Sequence, residues 1–137
     1  MVVLDTDILI GYLRGNEKAI NLILNLKKEE NFLNTTVFNA AELYKGCYVM
    51  KNVAKGLMKV KALLEALDEI LTFNSYAIEE YAKISADLKK RGSSIGVMDE
   101  LIASICIVHD EIFYTGNTKH FERVENLSFL NWMVGKK

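Results

Sequence analysis

The chain alternates between short apolar runs and longer segments in which apolar residues recur every three or four positions. Short apolar runs predict strands, and the longer period predicts amphipathic helices. Strands alternating with helices indicate an α/β fold with a parallel sheet covered on both faces. The predicted strands are residues 2–4, 31–36, 70–73, 111–114 and 127–130, and the predicted helices lie near residues 6–14, 17–28, 37–50, 53–67, 78–91 and 97–109.

Length and composition indicate one domain covering residues 1–137. Half of the residues are hydrophobic and 26% are charged, which is ordinary for a chain with a real core. The apolar stretches are much shorter than the roughly 20 residues that a membrane span needs, and no signal peptide is visible. Cys47 and Cys106 are too few for a disulfide framework, so we expect a reducing, cytoplasmic location.

The charge balance argues against a protein that coats long nucleic acid, because the net charge is -1 and the pI is about 6.1. It leaves room for an enzyme that binds a short piece of RNA through a metal ion and a few local cations. Candidate RNA-binding cations flank the acidic motifs described next, although any one of them could simply be a solvated surface charge. They are Arg14, Lys45, Lys89, Arg91, Lys119 and Arg123.

Two acidic residues follow predicted strands, and ligands bind beyond the carboxyl ends of strands in such sheets. Asp5 comes directly after the first strand and is followed by Thr6 and Asp7. Asp5 could instead be an ordinary helix cap, for which Thr6 and Asp7 would serve equally well. Glu42 lies one to two turns into the helix after the second strand, among apolar neighbours that favour partial burial. An exposed surface glutamate remains the alternative.

Asp99 is the most informative acid. It is in line with Ile102, Ala103 and Cys106, so it should point inward at the start of its helix. A plain acid favoured by the helix dipole is the alternative, but that does not explain an inward direction. Glu100 is one position further round the helix, and we expect it to face solvent.

Polar residues also follow the fourth predicted strand. Thr115 and Asn117 should lie at the same sheet edge as the acids, where they could hydrogen-bond water or phosphate, although Thr-Gly-Asn is also ordinary turn chemistry. Carboxylates about 4 Å apart would repel by about 4 kcal/mol per pair at an effective dielectric near 20. A divalent cation removes this cost, and a carboxylate-held Mg²⁺ or Mn²⁺ can activate water for attack on phosphorus.

Four segments in this order and spacing resemble the PIN-domain ribonucleases, in particular the VapC-type toxins of toxin–antitoxin pairs. The resemblance covers nearly the whole chain. It implies a three-layer α/β/α fold with a mostly parallel sheet of four to five strands, and metal-dependent cleavage of RNA by a metal-activated water. The matching segments are residues 3–10, 39–46, 95–103 and 115–121.

The resemblance also implies residue roles. Asp5, Glu42 and Asp99 fall on the family's catalytic, metal-binding acids. Asn117 is expected to be catalytic as well and occupies a position where many members carry a fourth acid. That departure leaves a second metal position open.

The same resemblance implies partners. Members commonly form homodimers and are blocked by a cognate antitoxin that occupies the active-site groove. The segment 53–67, which is apolar on more than one face, points to an interface as well. Closer to the acids, Thr6, Asp7 and Thr115 are expected to support the ligands.

Two alternatives remain at this point. The Asp5-Thr6-Asp7 sequence also fits haloacid-dehalogenase-type phosphatases, with Asp5 as nucleophile, Asp7 as general acid and Thr35 or Thr36 in the next motif. Against it, the chain is short for that fold and Glu42 would have no role. The other alternative is a non-catalytic module whose acids dock a basic antitoxin segment, for which Asn117 is the only support.

Overall fold

In the part of the chain that the structure describes, the sheet has five strands, all parallel, in the order β3-β2-β1-β4-β5. It belongs to a computed structural model that describes residues 1–134. β1 is central and pairs with β2 on one side and β4 on the other, with Val3 opposite Asn34 and Phe113. The strands are β1 (Val2–Leu4), β2 (Leu33–Thr36), β3 (Glu69–Leu71), β4 (Ile112–Thr115) and β5 (Phe129–Asn131).

Helices cover both faces of the sheet and create two hydrophobic cores. Side chains of a strand alternate between faces, so Leu4 packs in one core and Val3 in the other. The first core contains residues of the four helices α1 through α4, and the second contains residues of the three helices α5 through α7. The helices are α1 (Thr6–Leu13), α2 (Glu17–Lys28), α3 (Val37–Tyr48), α4 (Val53–Ala66), α5 (Ser75–Lys90), α6 (Val97–Val108) and α7 (Thr118–Phe121). The predicted three-layer α/β/α architecture is therefore confirmed.

Most helices begin where a polar side chain caps them, and α5 begins at Ser75, three residues before its predicted start. Asn16, Thr36 and Asn74 each accept a hydrogen bond from a backbone N–H in the first turn of α2, α3 and α5. The strand boundaries differ from the prediction by one or two residues, and β4 extends to Thr115. The one-turn helix α7 was not predicted, because four residues are too few to show a period.

The apolar excess of segment 53–67 is mostly used inside the molecule. α4 packs against α3, and Gly56, Val60 and Leu64 are buried there. Met58 remains 70% exposed. The two cysteines are free thiols buried in different cores, in agreement with the prediction of no disulfide. None of the described helices is long and apolar enough to cross a membrane.

Candidate active site

The site lies where the carboxyl ends of the three central strands meet. Asp5 follows β1 directly and forms the N-cap of α1. Thr36 ends β2 and caps α3, the helix that carries Glu42. Thr115 ends β4. Because β2, β1 and β4 are parallel neighbours, all of these residues reach the same edge of the sheet.

Asp5 is buried, with 8% of its surface exposed. Its Oδ1 accepts hydrogen bonds from the Thr6 backbone N–H (2.8 Å) and from Asn39 Nδ2 (2.9 Å), and its Oδ2 accepts one from Thr115 Oγ1 (2.7 Å). Burial raises the pKa of Asp5 to about 7, and the negative charges of Asp7 and Asp99 act in the same direction. Asp5 is thus both a helix cap and a carboxylate held among other acids.

Glu42 is joined to Asp5 through Asn39, whose side chain is completely buried. Asn39 Nδ2 donates to Asp5 and also to Thr6 Oγ1 (2.9 Å), and the Thr6 hydroxyl donates to Glu42 Oε1 (2.5 Å). At the other end, Thr36 Oγ1 accepts from the Asn39 backbone N–H and donates to Asn39 Oδ1 (2.7 Å). That pair fixes the orientation of the amide. The amide N–H groups of Asn39 and the hydroxyl of Thr6 therefore point toward the carboxylates of Asp5 and Glu42.

Asp99 lies in the first turn of α6 and faces the segment after β4. Its Oδ2 is 2.8 Å from His120 Nδ1 and 3.4 Å from Asn117 Nδ2. The Asn117 backbone N–H donates to Thr115 Oγ1 (3.0 Å), which in turn donates to Asp5. Asn117 and Thr115 therefore connect the Asp99 side of the site with the Asp5 side.

Asp7 accepts hydrogen bonds from two segments next to the site. Its Oδ2 accepts from the Gly116 backbone N–H (2.7 Å) and its Oδ1 from Trp132 Nε1 (3.0 Å). A Cβ at position 116 would lie 2.9 Å from Asp7 Oδ2, so only glycine allows this close approach. Asp7 thus holds the loop after β4 with one oxygen and Trp132 after β5 with the other, and this engagement of both oxygens disfavours Asp7 as a general acid.

Three residues of this network were not singled out from the sequence: Asn39, His120 and Trp132. Asn39 carries a signal, because it lies three residues before Glu42 and therefore on the same helical face. His120 lies on α7, which showed no period. Trp132 lies just after the last strand, and no sequence pattern connects it with Asp7.

The prediction that Glu100 faces solvent is wrong, because only 3% of its surface is exposed. α6 packs against α3, α5 and α7 as well as against residues of the sheet. Val97 and Met98 in the first turn of α6 are exposed, whereas Glu100 lies on a side of the helix that these neighbours cover. The neighbouring Asp99 is more open, with its side chain 23% exposed.

The predicted RNA-binding cations fall into two groups. Arg14, Lys45, Lys89 and Lys119 are exposed. The other two, Arg91 and Arg123, are also exposed but have hydrogen-bond partners within the protein. Arg91 contacts the Asp87 carboxylate (2.7 Å) and the Arg123 carbonyl (2.7 Å), while Arg123 donates to the carbonyls of Ser93 and Ser94. Arg91 and Arg123 therefore join the end of α5 to the segment after α7.

The donor set fits a divalent cation that prefers oxygen. Within residues 1–134, no hydrogen bond reaches Glu42 Oε2 or Asp99 Oδ1, so both oxygens remain available as ligands. The charges of Asp7 and Asp99 raise the pKa of Asp5, and a cation would offset that repulsion. In the same residues, no three His, Cys, Asp or Glu side chains converge closely enough to hold one ion. Protein donors hold each carboxylate instead.

Comparison with known proteins identifies the family to which the sequence is similar. The family model described as PIN domain matches residues 2–127. The chain is 30% identical to the ribonuclease VapC2 of Rickettsia felis over 129 residues, which cover 94% of this chain and 96% of that protein. It is 25% identical to the tRNA(fMet)-specific endonuclease VapC of Shigella flexneri, with the same coverage.

Solved structures give the same result. VapBC2 from Rickettsia felis, bound to a DNA fragment from its promoter, superimposes with a TM-score of 0.89 at 28% identity, covering 96% of this chain and 99% of that chain. VapBC-1 from nontypeable Haemophilus influenzae gives a TM-score of 0.84 at 27% identity, covering 97% and 99%. These matches overturn the phosphatase alternative. The chain belongs to the PIN domain family.

Proposed function

We propose that this protein is a metal-dependent endoribonuclease that acts as the toxin of a toxin–antitoxin pair. The observation that carries the proposal is the gathering of Asp5, Glu42 and Asp99 at the carboxyl edge of a PIN-family sheet. Its relatives are named ribonucleases, and one is named a tRNA(fMet)-specific endonuclease. A module that only docked a partner would not need two available carboxylate oxygens beside a third, buried acid.

In this proposal Asp5, Glu42 and Asp99 hold Mg²⁺ or Mn²⁺. When bound, the ion supplies positive charge that stabilises negative charge on the phosphate and lowers the pKa of water. Water attacks phosphorus and the P–O3′ bond breaks, leaving a 5′-phosphate and a 3′-hydroxyl. Thr6, Asn39 and Thr115 hold Asp5 and Glu42. The three carboxylates do not converge on one point in the metal-free protein, so they would have to close around the ion when it binds.

RNA would be positioned by cations close to the acids. Lys45 lies three residues after Glu42 on α3, and Lys119 lies between Asn117 and His120, and both lysines are exposed. Because the net charge is slightly negative, attraction of the phosphate backbone has to come from such local groups. Arg14 and Lys89 are further candidates, whereas Arg91 and Arg123 already have partners within the protein.

The proposed partners are a second copy of this chain and an antitoxin. Similar solved structures are VapBC complexes. Exposed apolar side chains at the end of α3 and on α4 support an interface. They are Tyr48, Val49, Met50 and Met58. Light scattering at high concentration should give a dimer. A monomer there, with no partner copurified from the native cell, would contradict both proposed partners.

The proposed activity is tested with purified protein and a pool of transfer and ribosomal RNA. We expect cleavage in Mg²⁺ or Mn²⁺ but not in excess EDTA, and products that ligate directly to adaptors because they carry 5′-phosphates. Glu42→Gln should abolish cleavage, since it removes a charge and keeps the shape. Lys27→Ala, an exposed position on α2, is the matched control and should leave the rate unchanged. Equal cleavage in EDTA, or full activity of Glu42→Gln, would refute the mechanism.

A further inference from the structure

When Asp99 is ionised, the hydrogen bond between His120 and Asp99 has only one chemically consistent form. His120 Nδ1 lies 2.8 Å from Asp99 Oδ2. A carboxylate oxygen offers only lone pairs, so an unprotonated Nδ1 at this distance would place two lone pairs against each other. Nδ1 must therefore carry hydrogen and donate to Asp99. This assignment leaves Nε2 on the other side of a ring that is 39% exposed.

The same argument constrains Asn117. Its Nδ2 lies 2.9 Å from His120 Nδ1 and 3.4 Å from Asp99 Oδ2. Two N–H groups cannot bond each other, and the nitrogen and oxygen of an amide are assigned from the surrounding network. Turning the amide by half a turn places Asn117 Oδ1 within reach of Nδ1–H. The imidazole donor is then shared between the Asp99 carboxylate and the Asn117 carbonyl oxygen. In this orientation the Asn117 amide no longer donates to Asp99, and His120 makes the link to Asp99 instead.

The position of α7, which carries His120, is fixed by packing. The next residue, Phe121, is fully buried, and its ring lies against Phe113 of β4 with centroids 4.8 Å apart in an edge-to-face arrangement. The other end of α7 is held by the Asn117 backbone N–H, which donates to Thr115. α7 is therefore anchored at both ends, and a donor on His120 reaches Asp99 at a defined point.

We propose that His120 is a positioning residue that orients Asp99 for the divalent cation. By taking Oδ2, the Nδ1–H leaves Oδ1 of Asp99 directed away from the ring and available as a ligand. Protein groups that hydrogen-bond a metal-binding side chain in this way set its orientation, and their loss typically weakens metal binding about 10- to 100-fold. This inference rests on the proposed metal-dependent function.

The test compares three substitutions at one position, with Mn²⁺ affinity measured by calorimetry and RNA cleavage measured in parallel. His120→Asn places an amide nitrogen where Nδ1 was, and His120→Gln places one nearer to Nε2. We expect His120→Asn to bind Mn²⁺ within a few-fold of wild type. His120→Gln and His120→Ala should bind about 10-fold or more weakly. Glu122→Gln, an exposed acid two residues further on, is the control and should bind as wild type does.

The outcomes separate the two proposals. If wild type binds Mn²⁺ and His120→Ala binds it equally well, the positioning role is wrong while the proposed nuclease stands. If His120→Gln retains affinity and His120→Asn loses it, the important atom is Nε2 and the role assigned to Nδ1 is wrong. If wild type neither binds Mn²⁺ nor cleaves RNA, both proposals fail. Thermal unfolding of each variant in EDTA shows whether it is folded.

Discussion

At the residue scale, Asp5 shows how burial and charge compete within one side chain. Three donors stabilise its charged form, from Thr6, Asn39 and Thr115. The pKa is nevertheless raised to about 7, because burial and the neighbouring acids outweigh those hydrogen bonds. An ionised Asp5 is therefore unfavourable in the metal-free protein, which is what a site built to receive a cation requires.

This predicts how the stability of the metal-free protein depends on pH. The pKa of Asp5 is about 7 in the folded protein, against an ordinary value of 3.8 for an aspartate in an unfolded chain. Its contribution to the free energy of unfolding is fully present below about pH 4 and is lost as the pH rises to 7. A gap of about 3 pKa units corresponds to at most about 4 kcal/mol. Asp5→Asn does not titrate and should lack this loss.

Urea unfolding in EDTA from pH 4.5 to pH 8 measures the effect as the difference between wild type and Asp5→Asn. Wild type should lose stability relative to the variant across this range. Parallel profiles would show that Asp5 titrates normally and that its surroundings do not oppose its charge.

At the element scale, the site depends on a few hydrogen bonds between elements that are otherwise held by hydrophobic packing. Asn39 joins α3 to α1, and His120 joins α7 to α6. The positions of Asp5, Glu42 and Asp99 could be predicted, because strand ends and helical periodicity are local properties of the chain. The connections between them could not, because they depend on which elements become neighbours after folding.

Glu100 is a second feature that could not be predicted from local sequence periodicity. Periodicity identifies the face of a helix that packs first, which for α6 includes Asp99, Ile102 and Ala103. It does not reveal how many other elements surround the helix. Because α6 contacts α3, α5 and α7, a position that the period assigns to solvent is buried.

The connection between α3 and α1 is tested by Asn39→Ala. Removing this buried amide takes one hydrogen bond from each of Asp5, Thr6 and Thr36, and an unsatisfied buried polar group costs about 1–3 kcal/mol. We expect a loss of roughly 2–4 kcal/mol in the free energy of unfolding, together with loss of RNA cleavage. Asn25→Ala, at an exposed position on α2, should change stability by no more than about 0.5 kcal/mol. Equal stability of the two variants would contradict the network.

At the scale of the whole molecule, a slightly negative protein is proposed to bind a strongly negative substrate. The exposed cations near the acids must then provide the attraction, and this interaction has a measurable signature. Each phosphate contact releases counterions, so binding weakens as salt rises. An enzyme with few contacts should show a shallow but definite dependence of its apparent RNA affinity on salt.

Lys119→Ala should reduce this dependence by about one unit of slope in a plot of log affinity against log salt concentration. At low salt, the Michaelis constant of Lys119→Ala for RNA should be higher than that of wild type. Lys27→Ala should match wild type, because Lys27 lies in the last turn of α2, away from the acids. A rate that does not depend on salt from low to physiological strength would rule out phosphate contacts by these cations.

The central claim, that Asp5, Glu42 and Asp99 form one divalent-cation site, is tested most directly by thermal unfolding of wild type and Asp99→Asn, in EDTA and in Mn²⁺. Asn keeps an oxygen that can accept from His120 but removes one negative charge. Mn²⁺ at 100 times its Kd should stabilise wild type by about 2.7 kcal/mol, or about 10 °C in Tm.

In EDTA we expect the variant to be at least as stable as wild type, because repulsion is relieved, and in Mn²⁺ its rise in Tm should shrink sharply. A variant that unfolds several degrees earlier in EDTA, yet keeps the full rise with Mn²⁺, would show that Asp99 is a structural acid and no part of a metal site.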